Sequence, residues 1–424
     1  MRGTSGPALS PLTRAVRGRS VSTSRRSAAR PIHSREPRAD LAITNARIHV
    51  SPDPRRVRRG SVVVRDGRIT QVGSRCTIPS GCPIVDAEGG SLVGGFWNAH
   101  VHFTEPRWTT AGSRSADSVE RDLATMLTSQ GFTTVIDLGS DPRTTIPLRD
   151  RIESGEVRGP RILTSGPPLY PPRGIPYYVR ESIPPADRRR IPQPATPSAA
   201  TRAVEGSIAW GADVVKLFTG SYAAPGRVLP MPLAVAQAAV RRAHRRGRRV
   251  FAHPSNLEGT LVAERSGVDV LAHAPDTTEG IDDRLLQRLA RRRVAMVPTL
   301  KMFATTVTDS PSYLEPIYAI VRRFRRWGGT LLFGTDVGYM SDYSTREELE
   351  ALHRCGLNGT DILSALTRAP AEVIGGVGHP GTIATGESGD LVVLEGDPTT
   401  DPTAFARVRC TIRAGRVLWS RSGA

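Results

Sequence analysis

Two lysines, Lys216 and Lys301, stand against 56 arginines among the 58 basic residues of this 424-residue chain. Lys216 sits in the middle of the apolar run ADVVKLF, residues 212–218, where a buried cation needs a chemical reason. An arginine stays protonated and forked, whereas a buried lysine can shed its proton and react as an amine. The reaction that fits is capture of carbon dioxide, which converts the amine into a carbamate, an anionic oxygen ligand able to bridge two metal ions. A buried lysine can instead pair with Asp336 or line a site for a single ion.

Histidines of the right kind accompany it. Of nine in the chain, His100 and His102 form an HxH pair in SLVGGFWNAHVHF, His253 closes RVFAH, and His273 closes VDVLAH. Asp336 follows LLFGT in the same manner. Alternation along a strand puts His100 and His102 on one face, within reach of one cation. A single histidine at either position is more often a hydrogen-bonded core residue; the pair beside further strand-end ligands points to metal. His33, His49, His244, His353 and His379 fall outside these strand ends and receive no role.

The elements that must position these ligands are short. Eight apolar segments read as buried parallel strands: 96–103, 133–139, 161–166, 213–218, 249–253, 269–273, 294–299 and 330–336. Helical patterns alternate with them, and eight such units close a (β/α)8 TIM-like barrel, whose reactive side chains come from the C-terminal strand ends. Residues 41–50 and 61–73 read as a hairpin around a DG turn, and 388–398 with 408–420 repeat the signal at the other end. The organisation expected is an arginine-rich leader over 1–39, a small β-sandwich domain from 40–94 and 377–424, and an α/β barrel over 95–376. The segment 166–200, rich in proline, is too long for an ordinary connection and reads as a cover over the barrel mouth. Tyr170, Arg173, Tyr177 and Tyr178 are its candidate substrate contacts, although a surface excursion without a ligand role explains it equally well.

Composition narrows the function. A net charge of +18 raises nucleic acid as a partner, but nine arginines lie in residues 1–40, a stretch rich in Ser, Pro and Gly that reads as disordered. The clusters RRAHRRGRR, ARRR and RRFRR end helical patterns, where the helix dipole favours cations. No aromatic platform accompanies them, so no nucleic-acid partner is expected. No apolar run is long enough to cross a bilayer and no secretory segment is evident, so no membrane is expected and the cytoplasm is the default compartment. Cys76, Cys82, Cys355 and Cys410 have no CxxC spacing and read as ordinary small residues.

The segments GFWNAHVHF, GADVVKLFTG, FAH, GVDVLAHA and GTDVG, in this order, resemble the amidohydrolase superfamily. Within it they are similar to the imidazolonepropionase-like branch that includes carboxylated-lysine dipeptidases acting on Xaa-Pro and similar substrates. The resemblance covers about residues 40–420, and GTIATGESGDLVVLEGDP looks like that branch's return strand into the small β-domain. It implies that His100 and His102 bind a first metal with Asp336, that His253 and His273 bind a second, and that a carbamate on Lys216 bridges them. Two departures stand out: GPPLYPPRG replaces a glycine-rich stretch ending in histidine after the third strand, and the leader has no counterpart.

Imidazole and carboxylate ligands suit zinc, with manganese, iron and cobalt as alternatives, so the expected cofactor is a pair of Zn2+ ions. The catalytic set is Asp336, Lys216 and His273, with Asp336 taking a proton from the attacking water and returning it to the departing nitrogen. Glu105, close to the HxH pair, is a further candidate substrate contact. The reaction is hydrolysis of an amide-type carbon–nitrogen bond in a small molecule; a homo-oligomer is left open. Two rivals remain: a heterocycle deaminase using one metal without a lysine carbamate, and a catalytically silent barrel scaffold.

Overall fold

The computed structural model describes residues 39–181, 183, 185–307, 311–375 and 381–421. The leader, apart from Ala39, therefore lies outside the described residues, as do His33 and His379.

Both chain ends build one sheet. Its strands run in the order Arg416–Ser420, Val408–Arg413, Leu391–Leu394, Ser91–Gly94, Leu41–His49, Val57–Arg65, Arg68–Gly73, with Ile84–Asp86 also paired to Leu41–His49. The DG hairpin is where the sequence puts it: Asp66 and Gly67 take φ of 47° and 71° between two antiparallel strands. The return strand Leu391–Leu394 pairs antiparallel with Ser91–Gly94, matching Leu391 to Gly94, and so ties the C-terminal segment to the N-terminal one. Alternate residues face one apolar layer containing Ile43, Ile48, Val62, Val64, Leu92, Val393 and Ile412.

Between these ends lie two parallel arcs. Phe96–Val101, Phe132–Asp137 and Arg161–Thr164 form one; Val214–Phe218, Arg249–His253, Val270–Ala272 and Ala295–Val297 form the other. Their buried apolar runs leave no polar face, as expected for strands covered on both sides. The arcs approach each other twice. A single bridge joins Leu169 to Leu217, and the segment 330–337 joins Met296 through Leu331 and Val101 through Val337.

That segment pairs on both sides through isolated bridges rather than a long ladder. Its backbone bonds run from Leu332 N to Met296 O and from Met296 N to Thr330 O, both at 2.9 Å, and from Ala99 N to Phe333 O at 2.8 Å and Asp336 N to His100 O at 2.9 Å. Side chains add to the pairing: the Thr335 amide donates to Asn98 Oδ1 at 3.2 Å, and Asn98 Nδ2 donates to Thr335 Oγ1 at 2.7 Å.

Helices follow the strands, and the arginine clusters do end them. Arg242 and Arg245 occupy the last turn of Leu233–Arg245, Arg288 and Arg291 that of Asp283–Arg291, and Arg323, Arg325 and Arg326 that of Leu314–Arg326. The cover segment carries short helices at Tyr177–Arg180 and Pro185–Arg188. A hairpin absent from the sequence reading, Gly220–Ala224 with Arg227–Pro230, rises after the Lys216 strand. The four cysteines are free thiols.

Candidate metal centre and active site

The candidate ligands meet where strand ends converge. His100 Nε2 lies 3.2 Å and His102 Nε2 2.9 Å from the same oxygen, Asp336 Oδ1. That oxygen is buried and accepts no hydrogen bond among the described residues, so the two nitrogens contact it off the hydrogen-bonding direction. One ligand atom from each of these residues falls within 4.8 Å of the others. Local sequence enforces the approach: Gly338 has φ 93°, and a Cβ there would meet His102 O at 1.8 Å, so the turn after Asp336 packs against the histidine backbone only with glycine.

The imidazoles continue as a chain of rings. His100 and His273 have centroids 4.5 Å apart, as do His273 and His253. Burial holds the pKa values of His100, His253 and His273 well below the ordinary range, with the charge on Lys216 adding to the effect in each. Neutral imidazole keeps a lone pair for a cation. At His273 one ring nitrogen is held from outside: Nδ1 lies 2.7 Å from Thr299 Oγ1, a hydroxyl that is also 2.8 Å from Pro298 O. With Nδ1 engaged there, Nε2 is the atom left to face a cation. Among the described residues, the buried Nδ1 atoms of His100 and His253 have no hydrogen-bond partner.

The backbone is strained at the same level. Ser255, His273, Thr299 and Asp336 have φ of 56°, 148°, 50° and 60°. Such conformations cost about 1–3 kcal/mol each and persist where surrounding packing fixes them. Beneath them, Val214 and Phe251, two residues before Lys216 and His253 and hence on the same faces, belong to one fully buried layer with Val270, Ala295 and Leu332.

The two lysines diverge. Both are 2% exposed. Lys301 Nζ is bound by Asp342 Oδ2 at 2.8 Å, Glu347 Oε2 at 3.3 Å and Ser344 O at 2.7 Å, so it ties down the loop after Asp336. Lys216 has no such partner among the described residues and feels only the more distant charge of Asp336. Burial lowers its pKa to about 7. Its ammonium nitrogen lies 5.6 Å from the Phe218 ring, which stacks at 4.5 Å on His253.

The other expected contacts are spread over the rim. Tyr170 stacks on Phe218 at 4.5 Å, and Tyr178 packs on Tyr339 at 6.0 Å and, at 5.3 Å, on Tyr177. Arg173 is exposed at a turn with φ 59°. Glu105 is engaged away from the cluster: it accepts from Trp108 Nε1 at 3.1 Å, from Arg107 and from the Tyr343 hydroxyl. His49, His244 and His353 contact Ser91, Asp269 and the Leu357 carbonyl.

Sequence reasoning missed two supports. Thr299 follows a proline in VPT and carries no ligand signal. Asp137 ends a strand as the ligands do, and the same strand-end rule could have flagged it; fully buried, it accepts from Ser140 Oγ at 2.5 Å and Thr164 Oγ1 at 2.7 Å and lies 4.0 Å from His102 Nδ1.

These donors fit a divalent metal: neutral nitrogen lone pairs, one carboxylate oxygen with no hydrogen bond among the described residues, and a threonine holding the far nitrogen of one imidazole. The comparisons agree with the geometry. A family model described as the amidohydrolase family matches residues 91–418. A candidate prolidase of Bifidobacterium longum superposes with TM-score 0.73 at 27% identity, covering 90% of this chain and 94% of that one. An Xaa-Pro dipeptidase with methionine bound superposes with TM-score 0.77 at 20% identity, covering 90% and 100%. Among curated proteins, a 5'-deoxyadenosine deaminase of Methanosarcina mazei is 37% identical over 65 residues, 15% of each chain. A dihydroorotase of Methanosarcina acetivorans is 29% identical over 118 residues, and the chain spans only 21% of that relative's length.

Proposed function

The chain belongs to the amidohydrolase family, and from that premise we propose that it is a metal-dependent hydrolase of an amide-type carbon–nitrogen bond in a small substrate. The observation that carries this is the convergence of His100, His102 and Asp336 beside His273, His253 and an unpaired buried Lys216. In this reading residues 95–376 form a closed (β/α)8 barrel and 40–94 with 377–424 its accessory β-domain. The bridges at Leu169, Leu331 and Val337 support closure.

His100, His102 and Asp336 would hold one ion and His253 and His273 a second, with carboxylated Lys216 between them; zinc suits these donors. Divalent metal held there supplies Lewis acidity and brings the pKa of water toward neutrality. Asp336, whose Oδ1 carries no hydrogen bond among the described residues, accepts the proton of the attacking water and delivers it to the departing nitrogen. The phenols of the cover segment orient the substrate and exclude water. Tyr178 is pushed well above its ordinary pKa by burial, with Tyr339, Tyr170 and Asp336 adding, so it stays a hydrogen-bond donor.

One observation favours a second reading. The compact three-residue group excludes His253 and His273, as a site for one ion would, and a stretch of the chain is similar to a deaminase. Metal analysis of the purified chain, followed by a panel of N-acyl amino acids, Xaa-Pro dipeptides, cyclic amides and aminopurines, separates the readings. Two ions per chain and chelator-sensitive amide hydrolysis are expected. One ion with ammonia release from an aminopurine would establish the deaminase, and stoichiometric metal with no turnover would sink both.

A further inference from the structure

Aromatic residues make up only 5% of the chain, yet six of its eight tyrosines stand on the segments that follow the strand ends. Tyr170 lies over Phe218 and thence His253, while Tyr177 packs on Tyr178, which reaches Tyr339, whose amide donates to Asp336 O at 3.2 Å. The remaining two close on a carboxylate. Tyr222, from the hairpin after the Lys216 strand, donates to Asp276 Oδ2 at 2.8 Å, and Tyr313 donates to the same oxygen at 3.0 Å. Asp276 is three residues beyond His273, and the charges of both Asp276 and Asp336 act on the Tyr178 phenol.

The electrostatics of this rim are unusual for the chain. Net charge is +18 and arginines accompany most carboxylates, but no Arg or Lys pairs with Asp276 among the described residues. A half-buried carboxylate without a cationic partner among the described residues, held by two phenols in a tyrosine-rich rim, suits an ammonium ion, because aromatic rings also attract positive charge. Hydrogen bonds from two phenols favour the ionised carboxylate against the burial that raises its pKa.

We propose that the rim formed by Asp276, Tyr222, Tyr313, Tyr178 and Tyr339 binds an organic cation, so that the substrate carries an ammonium group on the side away from the bond that is cleaved. The role in substrate choice rests on the hydrolase reading; binding of the cation does not. Charge selects for the ammonium at Asp276, and the rings accept its alkyl or aryl body.

The test is calorimetric titration of the full chain with benzylammonium and with benzyl alcohol, its neutral counterpart. The wild type should bind the ammonium about tenfold more tightly, and Asp276→Asn should erase that preference while leaving benzyl alcohol binding unchanged. Tyr339→Leu alters a ring that is 46% exposed, so it leaves the fold intact and should weaken the ammonium about threefold. Equal binding of the two probes by the wild type, or a preference that survives both substitutions, would overturn the proposal. Asp336→Asn should abolish hydrolysis yet keep the preference. Hydrolysis without preference sinks the cation site alone; preference without hydrolysis on any substrate sinks the hydrolase reading alone.

Discussion

Replacing Lys216 by arginine isolates the amine from the charge. Burial moves the Lys216 pKa from 10.5 to about 7, an energetic bias of roughly 5 kcal/mol toward the neutral form. At pH 8 most of this amine is then unprotonated, whereas an ordinary lysine is neutral in less than about 1% of molecules. Only the neutral amine captures carbon dioxide, so carboxylation rises as pH increases through about 7. Arginine keeps a cation and cannot form the carbamate. The expected result is loss of the labelled carbamate carbon in NMR spectra of metal-loaded protein equilibrated with 13C-bicarbonate. Activity should fall by at least about a thousandfold, with circular dichroism unchanged. Lys301→Arg is the internal control, because that ammonium is neutralised by Asp342 and Glu347 and should show no label in the wild type. Near-normal turnover by Lys216→Arg, or no labelled carbon on wild-type Lys216, would refute the reasoning.

Two further outcomes follow from single contacts. Thr299→Val removes the hydroxyl at 2.7 Å from His273 Nδ1 and should weaken metal binding about 10–100-fold in a chelator competition, with the fold retained; unchanged affinity would mean that packing alone orients the ring. Glu348, fully buried, accepts from the Lys301 amide at 2.7 Å, and burial lifts its pKa from 4.5 to about 7 against the backbone bonds from Lys301 and Leu300. A carboxyl whose pKa is raised on folding contributes stability below about 4.5 that is lost as pH rises through about 7, up to roughly 3 kcal/mol. Denaturant titrations of Glu348→Gln should lack that decline, and a parallel decline in both proteins would assign it to another group.

The candidate ligands were legible because each is a polar residue at the end of, or inside, a short apolar run, a pattern that one buried strand after another repeats. The HxH spacing carried its own geometry, since alternate strand positions share a face, and the rings do meet one oxygen of Asp336. Thr299 was illegible for the opposite reason. Its role depends on a hydroxyl between His273 and the Pro298 carbonyl, a contact across 26 residues that no periodicity announces. The stretch 330–336 had the apolar content of a strand and does exchange backbone hydrogen bonds with both neighbours, whereas the side-chain bonds that Asn98 and Thr335 add there have no signature in the sequence. The rim was hidden because Tyr222 rides on an inserted hairpin and Asp276 on a loop, and only the fold brings them within 2.8 Å.

Charge balance ties the metal count to Lys216. Among the converging side chains only Asp336 bears a formal negative charge, for the histidines are neutral and Lys216 at its lowered pKa is at best uncharged. One divalent ion faces that single carboxylate with a modest excess of positive charge. Two ions at the same depth would leave a large uncompensated charge in surroundings that exclude water, a cost that buried geometry does not sustain. Asp137 offers little relief, being 4.0 Å from His102 Nδ1 and already bound by Ser140 and Thr164. A carbamate on Lys216 replaces a potential cation by an anion at the point where the second pair of imidazoles begins. The dinuclear centre and the carboxylated lysine therefore stand or fall together: a chain that holds two ions should lose one when Lys216 can no longer be carboxylated, while a chain built for one ion should keep it.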